Sequence, residues 1–494
     1  MKRKLYVNTI VSLFYQIFNV IVGLVLPRLF LISYGSKVNG LIQSITQMLS
    51  IITLMDLGVG AVVQASLYKP LVEKDNDQVS ILYSSAKKYF KIIARILVVY
   101  IFLLMLFYSY FKSNDFNWFF SCTLIFSISI SSFAQYYFSI CNSILLNADQ
   151  KIYVPTLINL ITLILNAIIT LCLINFEFSI QYVKLMSSLI FLIRPICLSY
   201  YVNKKYQIKV IKNPPKNAIK NKWSGLTQHV ATVLTTSIDS MVLTFLSTFQ
   251  SVSIYNIYVM PLNAIRTLLE TLTMSYKSYF GNLIALEDNN KLEKEFNKYE
   301  IIVHFFTVVI FGVISVVLVP FVSIYTQGVN DTTYENYLFS YLITLSYAIY
   351  SLRLPYTTLI FSAGKFRETQ IYSIIECIIN IVLSVLLVNF LGIIGVAIAT
   401  CISVGYRTIL SAYYLKKDII NRNFSIFIKH IVIDVVCLFF IIIVSTFFHI
   451  NKDNLLLWFI NSLSIFVLSL IVCIVIHILF YKEEVMEIFK KAKM

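Results

Sequence analysis

Apolar runs of twenty residues or more follow one another from end to end of this chain, and nearly all of its charge is collected in the short gaps between them. About 20 mostly apolar residues in a helix cross the hydrocarbon of a bilayer, and every connection between spans must leave it, because no water is present there to satisfy the backbone. The pattern predicts an all-α integral membrane protein of about fourteen transmembrane helices. They lie near 5–33, 38–66, 88–111, 117–146, 152–175, 181–202, 223–247, 253–280, 299–326, 336–363, 369–390, 393–415, 426–449 and 455–480. Composition agrees: 58% of the 494 residues are hydrophobic and only 13% are charged. A soluble domain carries about 25% charged residues. So little charge cannot cover a water-facing surface of this size, which excludes a soluble enzyme, a nucleic-acid binder and a disordered scaffold.

The 40 Lys and Arg residues outnumber the 24 Asp and Glu residues, a balance of +16. Their placement is that of membrane topology rather than of a nucleic-acid face. With the N-terminus in the cytosol, Lys2, Arg3, Lys4, Lys69, Lys74, Lys87, Lys151, Lys204, Lys205, Lys291, Lys365, Lys416 and Lys482 all fall on the inner side. The outer loops hold Lys37, Lys112 and Lys452. An even number of spans then puts both termini in the cytosol. Met1-Lys2-Arg3-Lys4 leads into a run too long for a signal peptide, with no small-residue cleavage site after it, so the first span is expected to be retained.

The two halves of the chain are related. Residues 164–176 parallel 378–390 at an offset of 214, and 198–205 parallel 411–418 at 213, which aligns Arg194 with Arg407. The turn at 35–40 falls on 250–255. These offsets predict two parallel six-helix repeats related by an axis along the membrane normal: an N-terminal lobe over 1–205, a basic cytosolic linker over 206–222, a C-terminal lobe over 223–418, and two appended helices with a tail over 419–494. The eight cysteines all lie in apolar stretches without a CxxC pair, and the five histidines are scattered without HExxH, so no disulfide, metal site or cofactor is expected.

Ionisable residues inside spans are costly and usually face a wet interior. The first lobe offers Arg28, Asp56 and Arg194, and the second offers Asp239, Arg266, Glu270, Arg353, Glu376 and Arg407. Asp434 lies in the appended pair. Arg266 and Glu270 stand at i, i+4 on one helical face; they form either a self-neutralising pair or a cationic site tuned by its neighbour. Asp239, among Thr235, Thr236 and Ser240 and without an obvious partner, either carries a coupling proton or sodium ion or pairs with an arginine. Arg28 and Arg353 adjoin proline-bent sites, Pro27 and Pro355. Asp56 stands beside Gly58 and Gly60, which allow close helix approach, and there a structural pair competes with a transport role. Arg194 and Arg407 are expected to cap the cytosolic ends of helices.

The basic N-terminus, Leu-Pro-Arg-Leu-Phe in span one, Met-Asp-Leu-Gly in span two, Ala-Gly-Lys at 363–365 and the fourteen-span plan together resemble the polysaccharide flippases of the multidrug/oligosaccharidyl-lipid/polysaccharide (MOP) exporter superfamily. The resemblance covers essentially the whole chain. It implies two six-helix lobes arranged in a V, with an arginine-rich central cavity that receives the diphosphate and sugars of a polyprenyl-diphosphate-linked oligosaccharide. It further implies a bacterial cell membrane location, contact with membrane lipids, and glycan assembly or polymerisation machinery as a further partner. Arg28, Arg266 and Arg353 are then the expected substrate-binding cations, and Asp56, Asp239 and Glu270 the expected coupling or cavity charges. Guanidinium groups replace water around a diphosphate bidentately. An organic-cation antiporter of the same superfamily is the alternative, although five arginines against five acids inside the spans suit it poorly. A membrane glycan polymerase or acyltransferase is a further one, but no outer loop is large enough to carry its catalytic residues.

Overall fold

The structure, a computed structural model, describes residues 2–52, 59–111, 115–209, 211, 214–215, 237–286, 289–420 and 422–484. Among these residues every regular element is helical. The chain divides into two compact units, Met1–Ser237 and Ile238–Met494.

The first unit holds α1 (Lys2–Ser50), α2 (Val59–Glu73), α3 (Asn76–Phe111), α4 (Trp118–Ala134), a π-helical turn (Gln135–Ser139), α5 (Ile140–Ala148), α6 (Tyr153–Asn175), α7 (Ile180–Phe191) and α8 (Ile193–Lys205). Helix α1 is broken at Gly35, whose φ of 80° lies in the left-handed region, so the turn expected at 33–38 falls there. Helix α1 packs along α6, and α4 along α7. The turn after α5 is held by Asn8 of α1, whose amide donates to the Gln150 carbonyl at 3.0 Å and whose Oδ1 accepts from the Tyr153 N–H at 2.9 Å. Beyond α8, the Tyr206 hydroxyl donates to Asp149 and accepts from Lys151. Burial, reinforced by the Asp149 carboxylate, pushes the Tyr206 phenol well above its ordinary pKa.

The second unit opens with α9 (Ser237–Leu246) and α10 (Phe249–Ala285). It continues through α11 (Asn289–Tyr325), α12 (Tyr337–Leu352), α13 (Leu354–Ser362), α14 (Phe366–Leu391) and α15 (Ile393–Asp418) to α16 (Ser425–Thr446) and α17 (Leu455–Phe480). The last two helices pack on α11 through Val309, Val313, Cys437, Ile441, Ile465 and Cys473. Gly312 permits that approach, since a methyl group there would stand 2.7 Å from the Ile441 side chain. On the outward faces of α16 and α17, Phe439, Ile442, Leu456 and Leu468 are exposed, as lipid-facing positions must be.

Ten helical stretches among the described residues are long and apolar enough to span a membrane, which makes this a multi-pass membrane protein. The other four expected spans each have a local reason to stand apart. Residues 53–58 of span two and most of span seven, together with Asp56, Thr235, Thr236 and most of the 206–222 linker, lie outside the described residues. Span eight is α10, 37 residues long but carrying Pro261, Arg266 and Glu270. Span ten is interrupted at Arg353 into α12 and α13.

The internal repeat is visible in the backbone. Helices α5 and α13 are both nine residues long and begin 214 positions apart. Each is followed by a left-handed residue, Gln150 (φ 57°) or Gly364 (φ 71°), again 214 apart. Glu177 and Gly392, both at φ 56°, mark the next pair of turns. The register makes Ser139 equivalent to Arg353 and Thr162 equivalent to Glu376.

Candidate functional site

Two adjoining groups of polar side chains in the second unit hold most of its expected site residues. In the first, Glu376 of α14 is fully buried between two arginines. Arg353 Nη1 donates to its Oε1 at 2.7 Å, and Arg407 Nη1 of α15 donates to its Oε2 at 2.6 Å. The break between α12 and α13 places Arg353 there, because Pro355 two residues on cannot supply a helical N–H. The Arg353 guanidinium also lies over the Tyr350 ring, 4.6 Å from its centroid, and Arg266 of α10 lies over the same ring at 4.8 Å. The Tyr350 hydroxyl donates to Glu270 Oε1 at 2.5 Å, and the Arg266–Glu270 pair stands 3.3 Å apart along the helix. Three arginines and two carboxylates thus surround one tyrosine, leaving a single positive charge in excess. The inner members, Arg353 and Glu376, are closed off, whereas the side chains of Arg266 and Glu270 retain 19% and 34% exposure and form the accessible rim.

The second group centres on Asp239 of α9. Its Oδ2 accepts from the Tyr255 hydroxyl at 2.7 Å and from Thr400 Oγ1 at 2.8 Å. Asn380 Nδ2 donates to Thr400 Oγ1 at 3.2 Å, and the Ser384 hydroxyl donates to Asn380 Oδ1 at 3.2 Å. Among the described residues, Asp239 Oδ1 is buried without a hydrogen-bond partner. A buried oxygen of that kind is costly unless a cation or proton meets it. A carboxylate beside the Tyr255 and Thr400 hydroxyls offers hard oxygen donors of the kind that suit an alkali cation.

No protein-family model and no curated protein matches the chain. Solved structures do. A lipid II flippase MurJ in an inward closed conformation superposes with a TM-score of 0.73 at 17% identity, covering 97% of this chain and 99% of that one. The inward-facing conformation of a multidrug-resistance transporter of the MATE family gives 0.61 at 14% identity, covering 80% and 92%. A MOP-superfamily transporter from Pyrococcus furiosus gives 0.52 at 13% identity, covering 86% and 96%. The fold is that of the MOP-superfamily exporters.

Within this MOP fold the expected site residues fare differently. Arg266, Glu270 and Arg353 come together around Tyr350, a convergence that sequence spacing indicated only for the first two. Arg353 is engaged by Glu376 and only 4% exposed. Asp239 is not the partnerless carboxylate expected, since Tyr255 and Thr400, 16 and 161 positions away, both donate to it. Arg28 lies half-buried in α1 and forms no ion pair among the described residues. Asp56 lies outside them. Arg194 and Arg407 do not cap helix ends; each reaches sideways to a neighbouring helix, Arg194 to Thr162 and Arg407 to Glu376. The sequence reading also missed a buried network joining α11, α13 and the appended pair. There Glu300 takes both terminal nitrogens of Arg422, at 2.6 and 2.7 Å, and accepts from the Tyr356 hydroxyl at 2.6 Å. His304 bridges Tyr356 and Asp434. Glu300 and His304 at i, i+4 near a predicted span end were the available signal.

Proposed function

We propose that this chain is a flippase that moves a polyprenyl-diphosphate-linked oligosaccharide, a surface-polysaccharide precursor, from the inner to the outer leaflet of a bacterial cell membrane by alternating access. The observation that carries this reading is a likeness to a lipid II flippase that runs the whole length of the chain, joined to an arginine-rich polar cluster with an accessible rim. Two phosphate charges lose their water on the way across, and guanidinium groups supply bidentate donors in its place. Arg28 and Arg266 are assigned to the diphosphate. Arg353 would have to leave Glu376 to take part. The Tyr347 and Tyr350 rings beside Arg266 offer faces for sugars. Glu270 tunes the charge of Arg266, and Asp239 with its oxygen-rich neighbours binds the coupling proton or sodium ion. Both termini are assigned to the cytosol. An excess of arginine in the cluster disfavours an organic-cation substrate.

The test uses full-length protein reconstituted in vesicles with a fluorescent lipid-linked oligosaccharide. Wild type is expected to translocate it, Arg266→Ala to lose translocation while still accumulating, and Asp239→Asn to lose the response to an imposed sodium or proton gradient. Wild type that moves an organic cation but no lipid-linked sugar would reverse the assignment in favour of an antiporter.

A further inference from the structure

The repeat places a second guanidinium in a different setting. In the first unit, Arg194 stands where the second unit has Arg407. Its Nε donates to Thr162 Oγ1 at 2.7 Å, and its guanidinium lies 4.3 Å from the Phe191 ring centroid. Thr162 occupies the place of Glu376, so the neutralising carboxylate is missing, and Ser139 occupies the place of Arg353. Among the described residues Arg194 forms no ion pair, and its terminal nitrogens have no hydrogen-bond partner. Arg194 lines a cavity of about 280 Å³ whose wall also includes Ser131, Gln135, Ser139, Ser143 and Asn159. No acidic side chain lines it. The side chains of Gln135, Ser139, Ser143 and Asn159 likewise make no hydrogen bond among the described residues. Gln135 and Ser139 are the first and last residues of the π-helical turn, a local swelling of the helix that recurs at functional sites.

We infer that this cavity is an oxyanion site inside the N-terminal unit, taking a phosphate, diphosphate or carboxylate group. The two terminal nitrogens of Arg194 form the bidentate fork such a group needs, the serine hydroxyls and amide N–H groups supply further donors, and no carboxylate competes. The site does not depend on the chain being a flippase, nor on Arg28 or Arg266. Its ligand group has two sources, a free anion or the headgroup of an isoprenyl lipid.

The experiment is modification of arginines by phenylglyoxal in the full-length protein in detergent, read at Arg194 by peptide mass spectrometry. Inorganic diphosphate and farnesyl diphosphate are the probes, with glucose as the neutral control. Protection of Arg194 by both probes assigns the site to oxyanions at large, and protection by farnesyl diphosphate alone assigns it to a lipid headgroup; either supports the inference. Protection by neither, or equally by glucose, overturns it. Thr162→Glu installs the carboxylate of the second unit beside Arg194 and is expected to weaken diphosphate binding about tenfold or more. Arg194→Gln, with diphosphate binding read by isothermal titration calorimetry of the full-length protein because no guanidinium is left there to modify, is expected to lose that binding should Thr162→Glu not fold, and a variant that folds and binds diphosphate as wild type does overturns the site. Protection of Arg194 in a protein that moves no lipid-linked sugar would leave this site standing while removing the transport reading.

Discussion

At one register of the repeat, Arg407 of the C-terminal unit meets the Glu376 carboxylate, which also holds Arg353. At the matching register of the N-terminal unit, Arg194 meets the hydroxyl of Thr162, with Ser139 in the third place. The backbone frame is shared: two nine-residue helices, two left-handed turns and an arginine one helix further on. What differs is how the charge is answered. A buried guanidinium costs several kcal/mol unless it is paired. The C-terminal unit answers with a carboxylate and closes the space, while the N-terminal unit leaves a partly exposed arginine beside an open polar cavity. One scaffold therefore produces a rigid joint in one copy and a site able to accept an anion in the other.

The most direct way to break this contrast is to remove the carboxylate. Glu376→Gln leaves Arg353 and Arg407 both buried and facing an amide. Breaking a buried pair on one side costs about 3–5 kcal/mol. We expect Glu376→Gln to unfold at much lower temperature in detergent, measured by thermal denaturation of the purified protein. A variant as stable as wild type would mean that the joint contributes nothing and that the difference between the units is decorative.

A smaller effect is expected from Glu300→Gln, in the network that ties the appended helices to α11. The amide still accepts a hydrogen bond from Tyr356 or Arg422, and Arg422 keeps Asn297 at 2.8 Å. A loss of about 2–3 kcal/mol is therefore expected, the scale of hydrogen bonds to charged groups. Because this network belongs to the second unit alone, limited proteolysis should show α16 and α17 released before the N-terminal unit is cut; simultaneous cutting would count against a local role.

Much of this architecture is legible in the sequence, and the rest is hidden for definite reasons. Apolar run length gives the helices, because the bilayer imposes a length on each one. The offset of 213 to 214 aligns Arg194 with Arg407, since repeats preserve register even where apolar residues drift. The pairing of i, i+4 neighbours Arg266 and Glu270 follows from helical geometry. Sequence could not supply the partners across helices. Asp239 looks solitary along its own span, and Thr400 reaches it only because α15 passes alongside. Arg353 reads as a free cation until the break after α12 turns it toward Glu376. The π-helical turn has no counterpart in hydrophobic periodicity, so the cavity beside Arg194 had no local signature.

The smallest effect expected is that of Thr162→Val, and it sharpens the comparison most. The substitution keeps the shape of the side chain and deletes the one hydroxyl that answers Arg194. The Thr162 hydroxyl also donates back to the Ile158 and Asn159 carbonyls, at 2.9 and 3.0 Å, and those carbonyls retain their helical donors. Loss of one hydrogen bond to a partly exposed cation should therefore cost about 1 kcal/mol, well below the cost of Glu376→Gln. Thermal denaturation of the two variants side by side measures the difference. Diphosphate binding supplies the second reading. With the hydroxyl gone, Arg194 keeps its full charge and gains a free Nε–H, so Thr162→Val should bind diphosphate at least as tightly as wild type, opposite to Thr162→Glu. If Val and Glu at this position weaken binding alike, the cavity responds to shape rather than to charge, and the missing carboxylate is not what separates the two units.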